Sequence, residues 1–319
     1  MSDPIKHHFL PECYLRRFTG DGGLFWTYAR ERGNIRYWTP AQFGYRPHLY
    51  SLPDGKGGND VSIEKAFQVV ESGFPELVQR MQARQRISKD DLDHLHSFAV
   101  TMFTRGAPMI DSISSSAATL AVPSFKRMLG SKSRVEGFLE RFYHEYPDEE
   151  RLSPEEVLEH IGRIEEIMIP HAKALDWMLE LTQAASAAFR RKNFAILHAP
   201  KPRRFLTNDR PATVLTRGGR ILAGGIFLDS VDIFLPLSSS CALVLSREHA
   251  HCEHVEISGA LTNRLNSAVV QACFQFVISE QRRDLEIHAR RSPIHGVAAV
   301  PSLRVTPDDL ERALRDIGG

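Results

Sequence analysis

Four polar residues from distant segments carry side chains suited to hydrolytic chemistry: His8, Arg105, Asp209 and Asn266. Brought together, they would supply a base, a cation for an oxyanion or a phosphate, a carboxylate and an amide donor, the set that hydrolysis or phosphoryl transfer needs. His8 stands just before Pro11, which pre-sets a first helical turn and pushes Leu10 towards an extended conformation. The positive end of that helix disfavours imidazolium, so His8 is expected to be neutral and able to act as a base or a metal ligand. Alternatively, it caps or packs against the turn. Asp209 follows a strand-like run and precedes Pro211, on the kind of loop that often carries catalytic groups. Its carboxylate either binds a metal, orients an imidazole or acts as a base, or it fixes the loop by accepting backbone N–H groups.

Around that pair, Tyr14, Arg204, Asn208 and Arg210 are the substrate-binding candidates. Between Arg190 and Arg220 stand nine Lys/Arg residues, with Asp209 the only acid. Such a stretch is either a solvated face or a surface for an anionic ligand, a phosphate ester or nucleic acid. A second polar cluster, His249-Ala250-His251-Cys252-Glu253-His254, offers weak metal candidates. In a strand His249 and His251 share a face, and His254 or Cys252 adds a ligand; an ordinary polar loop has the same composition. No cofactor is indicated. The chain has no G-x-S-x-G elbow, no H-E-x-x-H, no G-x-G-x-x-G after a strand and no zinc-finger spacing.

The opening spacing H-x-x-P-x-x-Y-L-x-x-F, as His8, Pro11, Tyr14, Leu15 and Phe18, together with Thr207-Asn208-Asp209-Arg210-Pro211, resembles the bacterial Domain-of-Unknown-Function 4238 family. The resemblance covers nearly the whole chain. It implies an aromatic β-hairpin after the opening motif, a helical middle and a late Asp-x-Pro motif. It implies no activity.

The elements that must position these residues are legible from periodicity. Tyr14, Leu15 and Phe18 form one apolar face of a short helix. Leu24 to Ala29 and Ile35 to Trp38 predict a hairpin whose aromatics pack across strands or, alternatively, stack on bases. From Val61 to Lys192 the chain is helical. One helix runs from Ser62 to about Gln85 with a break near Gly73 and Pro75, and a second is capped at Ser88. Others are expected over Pro123 to Leu129, Arg134 to Tyr146, Pro154 to Met168 and Pro170 to Arg191. Four short strands follow, at Phe194–His198, Arg204–Thr207, Val231–Leu235 and Ala242–Leu245, giving a small antiparallel or mixed sheet. A long helix over Thr262 to Ser279 and a capped tail helix from Thr306 complete the pattern.

The expected fold class is therefore α+β: an N-terminal hairpin, a large helical middle, and a C-terminal sheet with a long helix. The chain is read as one compact domain, 1–319, subdivided at 1–60, 61–192 and 193–319. With 42% hydrophobic and 25% charged residues, the composition is that of a soluble globular protein. Scattered cysteines, no signal peptide and no apolar run of membrane length predict a cytoplasmic location without membrane association. Two functions fit. One is a hydrolase acting on an anionic substrate through His8 and Asp209. The other is a non-catalytic binding or regulatory module, possible in a defence or toxin setting, whose motifs are structural. Oligomeric state is left open.

Overall fold

A computed structural model describes residues 6–54, 56, 58–165, 167–216, 226–228, 230–247 and 252–291. The class is α+β. The chain opens with β1 (Lys6–His8) and α1 (Glu12–Leu15), which continues as a 3-10 turn over Arg16–Phe18. Four residues of helix have no stability of their own. What holds α1 is burial, because Tyr14, Leu15 and Phe18 are fully inaccessible. The expected hairpin follows as β2 (Phe25–Ala29) and β3 (Asn34–Trp38). Trp26 faces Tyr37 across the pair with ring centroids 5.6 Å apart.

β4 (Tyr45–Pro47) returns to pair with β1, placing His8 opposite Tyr45. Gly44 makes that return possible. At φ +75° it occupies the left-handed region, its carbonyl accepts the Phe9 and Leu10 N–H groups, and a Cβ there would lie 2.8 Å from the Leu10 Cβ. β5 (Leu52–Pro53) and β6 (Asn59–Asp60) form a minimal ladder before the helices.

The predicted break separates α2 (Ser62–Ser72) from α3 (Phe74–Gln82), and α4 (Lys89–Thr104) begins with a Ser88–Asp91 capping box. α5 (Ala107–Met128) differs from expectation. It starts sixteen residues earlier than Pro123 and contains that proline, which costs the helix one N–H donor without ending it. α6 (Lys132–Glu145) and α7 (Pro154–Arg163) follow, α7 stopping short of Met168 because Ile164 turns extended. α8 (His171–Arg190) ends the helical region.

The described residues form two compact units, one of residues 6–110 and 175–291, the other of 111–174. The smaller unit buries Leu129, Val135, Leu139 and Ile161 as its own core. Ser153 and Glu156 close a capping box at the start of α7.

In the larger unit the remaining elements are β7 (Asn193–His198), β8 (Thr207–Asn208), β9 (Thr213–Thr216), β10 (Val231–Pro236), β11 (Cys241–Ser246), β12 (Cys252–Glu256), α9 (Gly259–Ala272), β13 (Phe276–Ser279) and α10 (Arg282–Arg291). One mixed five-stranded sheet runs β12-β7-β11-β10-β9, with only β12 parallel to its neighbour. Both faces are covered, which explains its unbroken apolar runs. On β10, Ile233 and Leu235 join the core around α1, α3 and α4, while Phe234 joins the core around α9. A second, antiparallel sheet runs β3-β2-β13-β8, so the N-terminal hairpin pairs directly with C-terminal strands. Two expectations are corrected here. Arg204 to Leu206 is not strand, and the helix from Thr262 ends at Ala272, with Phe276–Ser279 a strand. The expected tail helix from Thr306 lies outside the described residues.

Candidate functional site

The late motif and Asn266 of α9 explain both corrections. Asp209 is fully buried, and its carboxylate accepts three backbone N–H groups: Phe274 at 2.8 Å on Oδ1, and Gln275 at 2.6 Å and Phe276 at 3.3 Å on Oδ2. In a continued helix those donors would go to carbonyls one turn back. Asp209 takes them instead, so α9 stops and the chain turns extended into β13. Burial pushes the Asp209 carboxyl up to about 6, against the three N–H groups that pull it down. Asn208 serves the same helix end. Its Nδ2 donates to the Val269 carbonyl at 2.6 Å, and its Oδ1 accepts from Arg210 N at 2.8 Å. Asn266 then occupies the backbone of 204–206: it accepts from Leu206 N at 2.9 Å and donates to the Arg204 carbonyl at 2.8 Å. Those groups have no ladder to join, so that run is not a strand.

The opening motif meets the late motif through Tyr14. The Tyr14 hydroxyl lies 2.6 Å from Thr207 Oγ1 and donates to the Pro236 carbonyl at 2.9 Å. Burial raises its pKa. Tyr14 is thus a fixed strut between α1 and two sheets.

His8 and Arg105 come together at a different place. Arg105 is fully buried, donates to the His8 carbonyl and to Glu71 Oε1, and lies 4.5 Å from the Phe67 ring centroid. The His8 ring sits 5.6 Å from that of Tyr45, with Nε2 3.9 Å from Glu12 Oε1. Burial keeps His8 neutral, as expected of it, with Arg105 adding to the effect and Glu12 opposing it. The Nε2 atom is buried without a hydrogen-bond partner. Of the other candidates, Arg204 pairs with Glu280 at 3.1 Å. Burial, opposed by Asp209, lowers the pKa of Arg210.

Metal and thiol chemistry find little footing among the described residues. His254 lies 3.0 Å from His198 and 2.9 Å from the Gln85 carbonyl, and no three His, Cys, Asp or Glu side chains gather into a metal site there. His249 and His251 lie outside the described residues. Burial pushes the Cys13 thiol up to about 12, and those of Cys241 and Cys273 to about 11 and 12, which removes them as thiolates near neutral pH.

A cavity of about 640 Å³ opens beside the late motif. Its rear is formed by Ala107, Pro108 and Asp209, its aromatic wall by Trp38, Phe43 and Tyr45, and its charged rim by Arg32, Arg36 and Arg46, with Glu31 the one acid on the rim. Trp38 is fixed by its indole N–H donating to Thr27 Oγ1 at 3.0 Å. Arg32 and Arg36 are exposed, and neither guanidinium has an ion-pair partner among the described residues. These rim residues were not among the sequence candidates. Singly they are ordinary residues of the hairpin and of β4, and only the fold brings them to one rim. The local Asx-type turn in this loop is made by Asn208, whose Oδ1 accepts from Arg210 N, whereas Asp209 holds backbone far away in sequence.

Fold and site define an α+β protein in which a late motif, tied to the opening motif through Tyr14, holds a helix end beside an arginine-rimmed cavity. The chain matches the family described as Protein of unknown function (DUF4238) over residues 6–283, and belongs to it. No curated protein and no solved structure matches the chain. No helix among the described residues is long and apolar enough to cross a membrane.

Proposed function

We propose that this chain is a binding module for an anionic ligand carrying a flat ring, held in the hairpin cavity, and that the motif residues shape its walls without reacting. The observation that carries this is the state of Asp209. Both carboxylate oxygens are occupied by backbone N–H groups, so the carboxylate wall is spent on structure. The guanidinium groups of Arg32 and Arg36, without ion-pair partners among the described residues, lie on the rim instead, next to aromatic faces, an arrangement suited to phosphate and to stacking. Titration of ATP and of a short single-stranded oligonucleotide, followed by calorimetry, tests it. Binding should weaken at least about tenfold in Arg32→Ala/Arg36→Ala and fall with added salt, and the ligand should be recovered intact. Turnover by the wild type would favour the other function.

That second function, hydrolysis with His8 as the base, is favoured by one observation: a neutral imidazole whose buried Nε2 has no hydrogen-bond partner. It predicts that His8→Ala abolishes turnover while leaving the folded state intact.

A further inference from the structure

The residues lining the hairpin cavity follow an order along the strands. Asn34, Arg36 and Trp38 alternate onto the cavity face of β3, and the β2 residues in register with Asn34 and Arg36 are the small Ala29 and Thr27. Long side chains on the edge strand beside short ones on the next leave a groove running along the strands. Phe276 of β13, in register with Ala29, lines its other side. The aromatic end lies at Trp38, whose ring centroid is 5.7 Å from that of Phe43. At the ordinary rise of a strand, Arg36 comes about 7 Å from Trp38 and Asn34 about 13 Å, with Arg32 beyond them in the hairpin turn.

On the basis of the binding function proposed above, we infer that the ligand is a nucleoside polyphosphate lying along β3, with its ring at Trp38, its first phosphate at Arg36 and its terminal phosphate at Arg32. Charge sets the direction. Arg32 and Arg36 have no ion-pair partner among the described residues, whereas Arg46, beside Tyr45, is already engaged, and Lys6 Nζ lies 4.8 Å from the Tyr45 ring centroid. The Asn34 amide stands between the two open guanidinium groups. It has no side-chain hydrogen bond among the described residues and can donate to the phosphate chain. The opposing acids are Glu31, next to Arg32, and Asp209, whose oxygens the backbone N–H groups hold. A single-stranded nucleic acid carries phosphates on both sides of each inner ring, but the two open guanidinium groups lie on one side of the aromatic end.

The test is calorimetric titration of the full chain at low salt with AMP, ADP, ATP and a short oligothymidylate. Affinity should rise with each phosphate, ATP binding about tenfold tighter than AMP. Arg32→Ala should weaken ATP about fivefold and AMP by less than about twofold, while Arg36→Ala weakens both alike. Both arginines are exposed, so neither change should disturb the fold. ATP should also quench tryptophan fluorescence in the wild type and much less in Trp38→Phe. Equal affinity for AMP and ATP, an equal loss of both in Arg32→Ala, unchanged quenching in Trp38→Phe, or tighter binding of the oligothymidylate would each overturn this inference and leave the cavity a binding site. Failure of all four probes to bind would overturn both.

Discussion

The clasp around Asp209 and the rim of the hairpin cavity lie side by side and treat their polar groups in opposite ways. In the clasp Asp209, Asn208, Asn266 and Tyr14 each bind backbone groups or a hydroxyl that burial would otherwise leave unpaired. On the rim Arg32 and Arg36 face water with no ion-pair partner. A buried polar side chain with every partner satisfied contributes to folding, and removing it strands its partners. An exposed cation without a partner contributes almost nothing to folding and remains available to a ligand. Motif residues and ligand-binding residues are therefore different sets in this protein.

Substitutions can break or sharpen that contrast. The largest effect is expected at Asp209. Asp209→Ala removes the buried acceptor of three backbone N–H groups and should cost about 3 kcal/mol in equilibrium denaturation. Gly44→Ala, at φ +75° and against Leu10, should cost about 1–3 kcal/mol and loosen the β1–β4 pairing, seen as a lower melting temperature. Tyr14→Phe leaves Thr207 Oγ1 and the Pro236 carbonyl without the hydroxyl and should cost about 1–3 kcal/mol. If either motif variant kept wild-type stability, the division between clasp and rim would be wrong.

A smaller, pH-dependent effect is expected at Glu64. Burial, opposed by Arg105 and reinforced by Glu71, lifts its carboxyl from 4.5 to about 7, and its Oε2 atom is buried without a partner. The folded chain thus holds a proton that the unfolded chain releases. The resulting stabilisation is full below pH 4.5 and is lost as pH rises through about 7. Melting curves from pH 5 to 8 should show a steeper fall for wild type than for Glu64→Gln; parallel curves would remove Glu64 from the account. The smallest change in stability, within about 0.5 kcal/mol, belongs to Arg32→Ala and Arg36→Ala, whose effect should appear in ligand affinity alone.

Much of the scaffold was legible because it obeys local rules. The Ser88 cap, the break at Gly73, the hairpin turns and the apolar strands β7, β10 and β11 all announce themselves through capping, turn chemistry or periodicity. What escaped was decided by distant partners. The apolar spacing of α9 runs on through Cys273 and Phe276, and only Asp209, far away in sequence, turns those residues out of the helix. Arg204 to Leu206 looks like a strand until Asn266 occupies its backbone groups. Of the candidate site, the two motifs were visible, and so was the choice facing Asp209 between reacting and holding a loop. The meeting point, Tyr14 with Thr207, was not visible, because it depends on tertiary contact between α1 and β8. The rim arginines gave no signal of their own.

The central claim is that the Asp209 carboxylate is committed to the backbone that follows α9. Native-state hydrogen exchange at the amides of Phe274, Gln275 and Phe276 tests it most directly. If those N–H groups are held by the buried carboxylate, they should exchange as slowly as the amides of the core strands β10 and β11. Rapid exchange at these amides in an otherwise protected chain would mean that the carboxylate is free, and would contradict the account.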